Sequence, residues 1–124
     1  MTPRLVVDGN NVMGSRPDGW WKDRAGAAKR LVEQLGGWAA RTDNRVLVVF
    51  DGAEPPSMPA PDRVEVRFAR RRGPDAADDD IAELVSTASD PAGLRVVTSD
   101  AELARRVREY GAEVAGARWL LDQL

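Results

Sequence analysis

The chain has 124 residues, 43% of them hydrophobic, and a formal net charge of −2. That length is enough for one domain with a modest core, so we expect a single domain over residues 1–124. The sequence contains no cysteine and no histidine. This excludes disulfides, thiolate or imidazole catalysis, and metal sites built on thiolate or imidazole ligands.

The apolar segments of the sequence are short. None approaches the roughly 20 residues that a membrane-spanning helix requires. A strand is predicted to begin by Leu5 with no basic-then-apolar leader before it, so we expect no secretory signal. The absence of cysteine agrees with a reducing compartment, and we expect a cytoplasmic protein without membrane association.

The first half of the chain predicts a strand, a helix and two further strands. Residues 4–7 favour a strand that ends at the turn-forming Asp-Gly-Asn-Asn of residues 8–11. From about Arg24 to Arg41, apolar residues recur at the spacing of an amphipathic helix. Residues 46–50 are uniformly apolar, as in a strand buried on both faces, whereas residues 64–68 alternate, as near a sheet edge.

The second half alternates helices with strands. A helix is predicted around residues 81–88, a strand over 94–98, a helix over 101–110, a short strand over 113–115 and a terminal helix over 118–124. The order β-α-β-β-α-β-α-β-α predicts an α/β fold with a mostly parallel sheet. Right-handed crossovers favour the strand order 3-2-1-4-5, in which the winding direction reverses between the first and fourth strands.

Four aspartates stand at predicted strand ends or helix starts: Asp8, Asp51, Asp78 and Asp100. Three of them share the carboxyl edge of the predicted sheet, where open α/β folds bind ligands, and the helix of Asp78 can pack over that edge. Carboxylates gathered there repel one another, and a bound cation relieves the repulsion. Oxygen ligands suit Mg²⁺ or Mn²⁺, so the pattern predicts a metal-dependent phosphoryl-transfer site.

Each aspartate also has a structural interpretation. Asp8 and Asp51 both precede glycine, as turn residues often do. Asp78 stands where it would cap the following helix. The Ser-Asp-Ala-Glu of residues 99–102 matches a capping box with the serine as the cap. Singly, none of the four aspartates indicates a metal site, and only the convergence of several carboxylates favours one.

Neutral and basic side chains near the aspartates would assist a phosphate ligand. Asn10 and Asn11 supply further oxygen ligands or hydrogen-bond donors. Arg70, Arg71 and Arg72 precede the second helix. Beside an acidic metal site they would hold phosphates, although a charge run is more often a solvated loop.

The adjacent tryptophans Trp20 and Trp21 form an unusual pair. We expect one ring to pack in the core. The other could be exposed for stacking on a base, although packing in the core or at an interface is the more common role for such a ring.

Four segments carry a resemblance to a known family: VDGNNVMG, VVFDG, AADDDIAELV and VVTSDAELARRVREYGAEV. In this order and spacing they resemble the NYN domains of the PIN-like nuclease superfamily, and in particular its bacterial YacP-like branch. The resemblance covers nearly the whole chain. It implies a three-layer, Rossmann-like α/β domain and a metal-dependent endoribonuclease that uses Mg²⁺ or Mn²⁺.

The resemblance also implies roles for individual residues. The implied catalytic residues are Asp8, Asn11, Asp78 and Asp100. The implied metal ligands are Asp8, Asp78 and Asp100, with Asp51 as a further ligand. The implied supporting residues are Asn10, Asp79, Thr98 and Ser99, and the implied RNA-binding residues are Arg70, Arg71 and Arg72.

The sequence departs from the family pattern at three positions. Asn10 stands where the branch usually has tyrosine, and Ala76 where a threonine is usual. Ala82 replaces a common glutamate, so the fourth acidic position is open. Either Asp79 or Glu83 could take that role, or the affinity for metal is weaker.

These expectations lead to in-line hydrolysis of an RNA phosphodiester with RNA as the partner, either free or as mRNA on the ribosome. The chief alternative is a non-catalytic RNA- or ribosome-binding module with the same fold. A phospho-acceptor signalling domain would need a lysine after its last strand, and the sequence has none beyond Lys29. A toxin-like member of the same superfamily and the oligomeric state are left open.

Overall fold

The computed structural model describes residues 3–69 and 75–124, and these contain a five-stranded sheet with helices on both faces. The strands are β1 (Leu5–Asp8), β2 (Val46–Phe50), β3 (Val64–Phe68), β4 (Arg95–Val97) and β5 (Glu113–Ala115). The α-helices are α1 (Gly9–Gly14), α2 (Arg24–Thr42), α3 (Ala76–Thr87), α4 (Ala101–Glu109) and α5 (Ala117–Leu121). Two short 3₁₀ helices lie at Trp20–Lys22 and Pro91–Gly93.

The sheet is parallel and its strand order is β3-β2-β1-β4-β5, which confirms the predicted α/β fold and strand order. The central strand β1 pairs with β2 on one side and β4 on the other, with Val6 opposite Leu47 and Val96. The chain therefore winds outward from β1 to β3 and then returns to the far side of β1. The carboxyl ends of β1 and β4 flank the point where the winding reverses, which is the usual ligand position in such sheets.

Alternate residues of the central strands pack into two separate cores. Leu5 and Val7 of β1 face the layer of α1, α2 and α5, whereas Val6 faces α3 and α4. Every residue of β2 is buried, as its uniformly apolar sequence predicted, while the edge strand β3 is only half-buried on alternate residues. The result is the three-layer arrangement that the resemblance implied.

Helix α1 is an element that the sequence did not reveal. Residues 8–11 were expected to form a turn, but the chain enters α1 directly after Asp8. A Cβ atom on Gly9 would lie 2.5 Å from Cδ1 of Phe50, so α1 approaches β2 this closely because Gly9 has no side chain. Helical periodicity could not predict α1, because it is only six residues long and begins with turn-forming residues.

The start of α3 differs from the prediction. The sequence placed Asp78 at the N-cap, but the cap is Asp75, which has a left-handed backbone with φ of 63°. Two alanines, both good helix formers, extend the helix by almost one turn. Asp78 therefore lies within the first turn of α3 and is free of a capping role.

The helices of the described residues include none that is long and apolar enough to cross a membrane.

Candidate functional site

Asp8 is a buried carboxylate at the carboxyl end of the central strand. It is the last residue of β1, and it is only 4% exposed. The hydroxyl of Thr98 donates a hydrogen bond to its Oδ2 at 2.9 Å, and the backbone N–H of Asn11 also donates to it. Burial raises the pKa of Asp8 to about 6 in spite of these hydrogen bonds, and the charges of Asp51 and Asp100 contribute to the increase.

Asp100 follows the neighbouring strand β4 by three residues and caps α4. Its Oδ1 accepts hydrogen bonds from the backbone N–H groups of Glu102 at 2.9 Å and Leu103 at 3.0 Å. Its own N–H donates to Oγ1 of Thr98 at 3.1 Å. Thr98 therefore connects Asp8 with Asp100, and its backbone follows directly after β4.

The capping box that the sequence suggested at Ser99 is wrong, because Asp100 is the cap. Ser99 instead connects the loop between β4 and α4 with α5 and α1. Its Oγ accepts from the backbone N–H of Ala117 at 2.9 Å, and its own N–H donates to Oδ1 of Asn11 at 2.8 Å. Asn11 and Ser99 thus hold the loop after β4 against the start of α1.

Asp51 follows β2 and fixes the start of α3. Its N–H donates to Oδ1 of Asn10 at 2.7 Å, and its Oδ1 accepts from the backbone N–H of Ala77 at 2.8 Å. The second bond places a carboxylate at the N-terminus of α3, where the helix dipole favours negative charge. It also brings Asp78, one residue further along, to the same edge of the sheet.

Asp78 is half-buried, and the described residues supply no hydrogen-bond donor to its carboxylate. Burial and, to a smaller extent, the negative charges of Asp8, Asp100, Asp75 and Asp51 together raise its pKa to about 7. Each of the other three candidate aspartates has at least one such donor. Within the described part of the chain, Asp78 is therefore the candidate aspartate whose negative charge is least compensated.

The charges of Asp51 and Asp100 lie near enough to raise the pKa values of both Asp8 and Asp78. Even so, residues 3–69 and 75–124 contain no group of three or more acidic side chains already arranged around a common metal position. A carboxylate has about four acceptor sites, so the hydrogen bonds described above leave capacity for metal or water on each. Mg²⁺ usually keeps several of its waters, and such a hydrated ion fits a looser set of oxygen donors.

Asp79 and Glu83 are the alternatives for the fourth acidic position, and both lie on α3. Asp79 forms an ion pair with Arg106 at 2.9 Å, which joins α3 to α4. Glu83 is exposed, and Ala82 is 3% exposed and packs in the core beneath α3. The predicted RNA-binding residues Arg70, Arg71 and Arg72 lie outside the described residues.

Of the two adjacent tryptophans, one packs against the core and the other is exposed, as expected from the sequence. Trp20 packs against the core, and Trp21 is 59% exposed. Their ring centroids are 6.0 Å apart, edge to face, and the guanidinium of Arg24 lies 5.3 Å from the centroid of the Trp20 ring.

Sequence reasoning missed a cleft beside the aspartates. It has a volume of about 370 Å³, and its lining includes Asn10, Asp51, Arg24 and the rings of Phe50 and Phe68. Phe50 and Phe68 were recognisable as strand residues, but their spacing says nothing about a gap between α2 and the end of β2. A larger cleft, of about 570 Å³, lies between β3 and α3 and includes none of the four candidate aspartates.

Comparison with known proteins gives a family and similar solved structures. The family model described as YacP-like NYN domain matches residues 5–124. Crystal structures of Rae1 (YacP) from Bacillus subtilis are similar to the chain. A mutant form superposes with a TM-score of 0.79 at 29% identity over 98% of this chain and 74% of the other. A second structure gives a TM-score of 0.74 at 28% identity over 99% and 73%.

Curated relatives from Xanthomonas oryzae pv. oryzae, named UPF0178 proteins, are 38% identical over 104 residues. The matched region is 83% of this chain and 59% of each relative. The chain thus spans less than two thirds of the length of the curated relatives that it matches.

Proposed function

Because the chain belongs to the YacP-like NYN domain family, we propose that it is a metal-dependent endoribonuclease that hydrolyses RNA phosphodiester bonds. The family suggests an RNase-like function. The observation that carries the finer proposal is the edge formed by Asp8 and Asp78. Their pKa values are raised to about 6 and about 7 at the point where the sheet reverses its winding.

The donor set fits a hard divalent cation. In the proposal Asp8, Asp78 and Asp100 hold one or two Mg²⁺ or Mn²⁺ ions, partly through water, with Asp51 as a further ligand. The sequence has no histidine or cysteine to favour a softer metal. Such an ion, when bound, lowers the pKa of the attacking water and offsets the charge that develops on the phosphate.

The remaining residues of the site position the carboxylates and the substrate. Thr98 orients the carboxylate of Asp8 by donating to its Oδ2. The orientation of the Asn11 side-chain amide is defined by the backbone N–H of Ser99. Since this N–H can only donate, the atom that faces it must be the amide oxygen Oδ1. The Nδ2 of Asn11 is thereby left as a donor for a phosphate oxygen. In this proposal Arg70, Arg71 and Arg72 contact other phosphates of the RNA strand without reading its sequence.

A second candidate is an RNA- or ribosome-binding module without catalysis. Two observations favour it. The described carboxylates form no ready-made group of metal ligands. In addition, the buried Ala82 stands where a glutamate would have added a further carboxylate one helical turn from Asp78.

The two candidates predict different results in a cleavage and binding assay. Purified protein is incubated with labelled single-stranded and structured RNAs in Mn²⁺, in Mg²⁺ and in EDTA. The proposed nuclease cleaves only with metal, and Asp78→Asn lowers the rate at least about 100-fold, since even residues behind the metal ligands often contribute 10- to 100-fold. Asp62→Asn, a change at an exposed aspartate, serves as the matched control.

The binding module gives a different pattern. RNA is bound equally in metal and in EDTA, it is not cleaved, and Asp78→Asn changes neither result. Cleavage that persists in EDTA would contradict both candidates.

A further inference from the structure

The cleft between α2 and the end of β2 has the composition of a small-ligand pocket. The buried side chains of Met13, Ala28 and Phe50 and the half-buried ring of Phe68 form its apolar walls. The two phenylalanine rings are stacked, with centroids 5.3 Å apart and planes inclined by 23°. Its volume of about 370 Å³ falls within the range of small-molecule sites.

The cleft and the acidic edge share two residues. Asn10 and Asp51 line the cleft, and Asp51 also contributes to the negative charge felt by Asp8 and Asp78. The Asp51 N–H donates to Oδ1 of Asn10 at 2.7 Å, so the amide nitrogen of Asn10 is left as a donor. A molecule in the cleft would therefore lie next to the position proposed for the scissile phosphate.

The rim of the cleft adds a second donor. Arg24 lines it from the first turn of α2, and its guanidinium lies 5.3 Å from the centroid of the Trp20 ring. The described residues give Arg24 no acidic partner. Cation–π contact restrains the arginine while leaving its N–H groups available to a ligand.

We propose that this cleft is a base-binding subsite that holds the nucleobase next to the scissile phosphate. This inference rests on the proposed nuclease function. The half-buried Phe68, Ala25 and Pro55 supply the accessible apolar surface of the cleft, and an aromatic ring such as that of Phe68 stacks on the face of any base. The donors of Arg24 and Asn10 favour guanine, which presents the adjacent acceptors O6 and N7, over adenine, which presents a donor beside N7.

The first test measures base binding without cleavage. The sequence has three methionines, so methyl labelling of methionine gives three NMR signals, of which Met13 lies in the cleft and Met58 does not. In EDTA, GMP should shift the Met13 methyl signal at lower concentration than AMP and leave Met58 unmoved. No shift of Met13 with either nucleotide, or equal shifts of Met13 and Met58, would overturn the subsite.

Two substitutions on α2 provide a matched pair. Ala25 lines the cleft and Ala40 is exposed farther along the same helix. Ala25→Phe should block the cleft and abolish the GMP-induced shift of Met13, whereas Ala40→Phe should preserve it. Retention of the full shift in a folded Ala25→Phe variant would contradict the proposal.

The second test uses RNA oligonucleotides with one abasic position at a time. The wild-type KM should rise about tenfold at one position beside the cleaved bond, as expected for loss of one stacked base. Ala25→Phe should remove this difference. Cleavage with equal KM for all abasic positions would overturn the subsite but leave the nuclease intact. Absence of cleavage with GMP still bound would overturn the nuclease, and with it the subsite's place beside a scissile bond, but leave base binding in the cleft.

Discussion

Thr98 occupies a buried position between two of the aspartates, where its hydroxyl donates to Asp8 and accepts from the backbone N–H of Asp100. A buried carboxylate that loses one of its donors loses part of the compensation for its desolvation. The side chain therefore affects both the stability of the fold and the geometry of the acidic edge.

Replacing Thr98 tests this role. Thr98→Val keeps the shape but removes the hydroxyl, and it should lower the free energy of unfolding by about 1–3 kcal/mol because Asp8 and the Asp100 N–H each lose a partner. Thr98→Ser retains the hydroxyl and should lose less. The free energies come from urea unfolding at pH 7.5. Equal stability of the valine and serine variants would show that the hydrogen bonds contribute nothing.

The sequence predicted which aspartates stand at this edge but not how they are held. Asp8 and Asp51 follow apolar runs whose strand character was plain, so their positions could be inferred. The partners could not, because Thr98 meets Asp8 across 90 residues of chain. The N-cap predictions at Asp78 and Ser99 failed because more than one residue near each helix start can act as a cap, and local sequence does not decide between them.

At the scale of elements, the contact between α1 and β2 determines where the first catalytic candidates lie. Gly9 allows the helix to start directly after Asp8, and this turn places Asn10 against Asp51 and Asn11 against Ser99. The long apolar strands and α2 were predictable from periodicity. Helix α1 depends instead on a close approach to Phe50, which local sequence does not reveal.

Two glycine substitutions test this close approach. A Cβ on Gly9 would lie 2.5 and 2.6 Å from ring atoms of Phe50 and 3.0 Å from the backbone oxygen of Val49. Gly9→Ala should therefore destabilise the protein by about 1–3 kcal/mol, as overpacked cores do. Its control, Gly37→Ala on the exposed face of α2, should stabilise by about 0.5–1 kcal/mol. Both are measured by thermal unfolding, and a Gly9→Ala variant as stable as wild type would contradict the packing.

For the molecule as a whole, folding brings acidic groups from distant segments to one edge, at a cost in stability. Asp8 and Asp78 have pKa values of about 6 and about 7 in the folded protein, above the ordinary aspartate value of about 3.8. At pH values between the ordinary and the raised pKa, the folded state binds more protons than the unfolded state. Stability without metal should therefore fall as pH rises from about 4 to about 7.

Thermal unfolding in EDTA at pH 5 and at pH 7.5 measures this dependence. The wild-type Tm should be higher at pH 5. Asp78→Asn should reduce this difference in Tm by about 4 °C. That shift corresponds to a change in the free energy of unfolding on the order of 1 kcal/mol, once solvent screening of a half-buried group is included. Asp62→Asn should leave the difference unchanged. A wild-type Tm that rises between pH 5 and pH 7.5, with no effect of Asp78→Asn, would contradict the electrostatic account of the site.

The most direct test of the proposed metal ligation replaces one carboxylate ligand with a thiolate. The chain contains no cysteine, so Asp78→Cys introduces the only thiolate in the protein. The measurement is the single-turnover rate of RNA cleavage by this variant in Mg²⁺ and in Cd²⁺, with Asp62→Cys as control. Since thiolates prefer softer metals, the account predicts that Asp78→Cys is nearly inactive in Mg²⁺ and recovers activity in Cd²⁺. Wild-type activity of Asp78→Cys in Mg²⁺, or cleavage that does not depend on the metal, would contradict it.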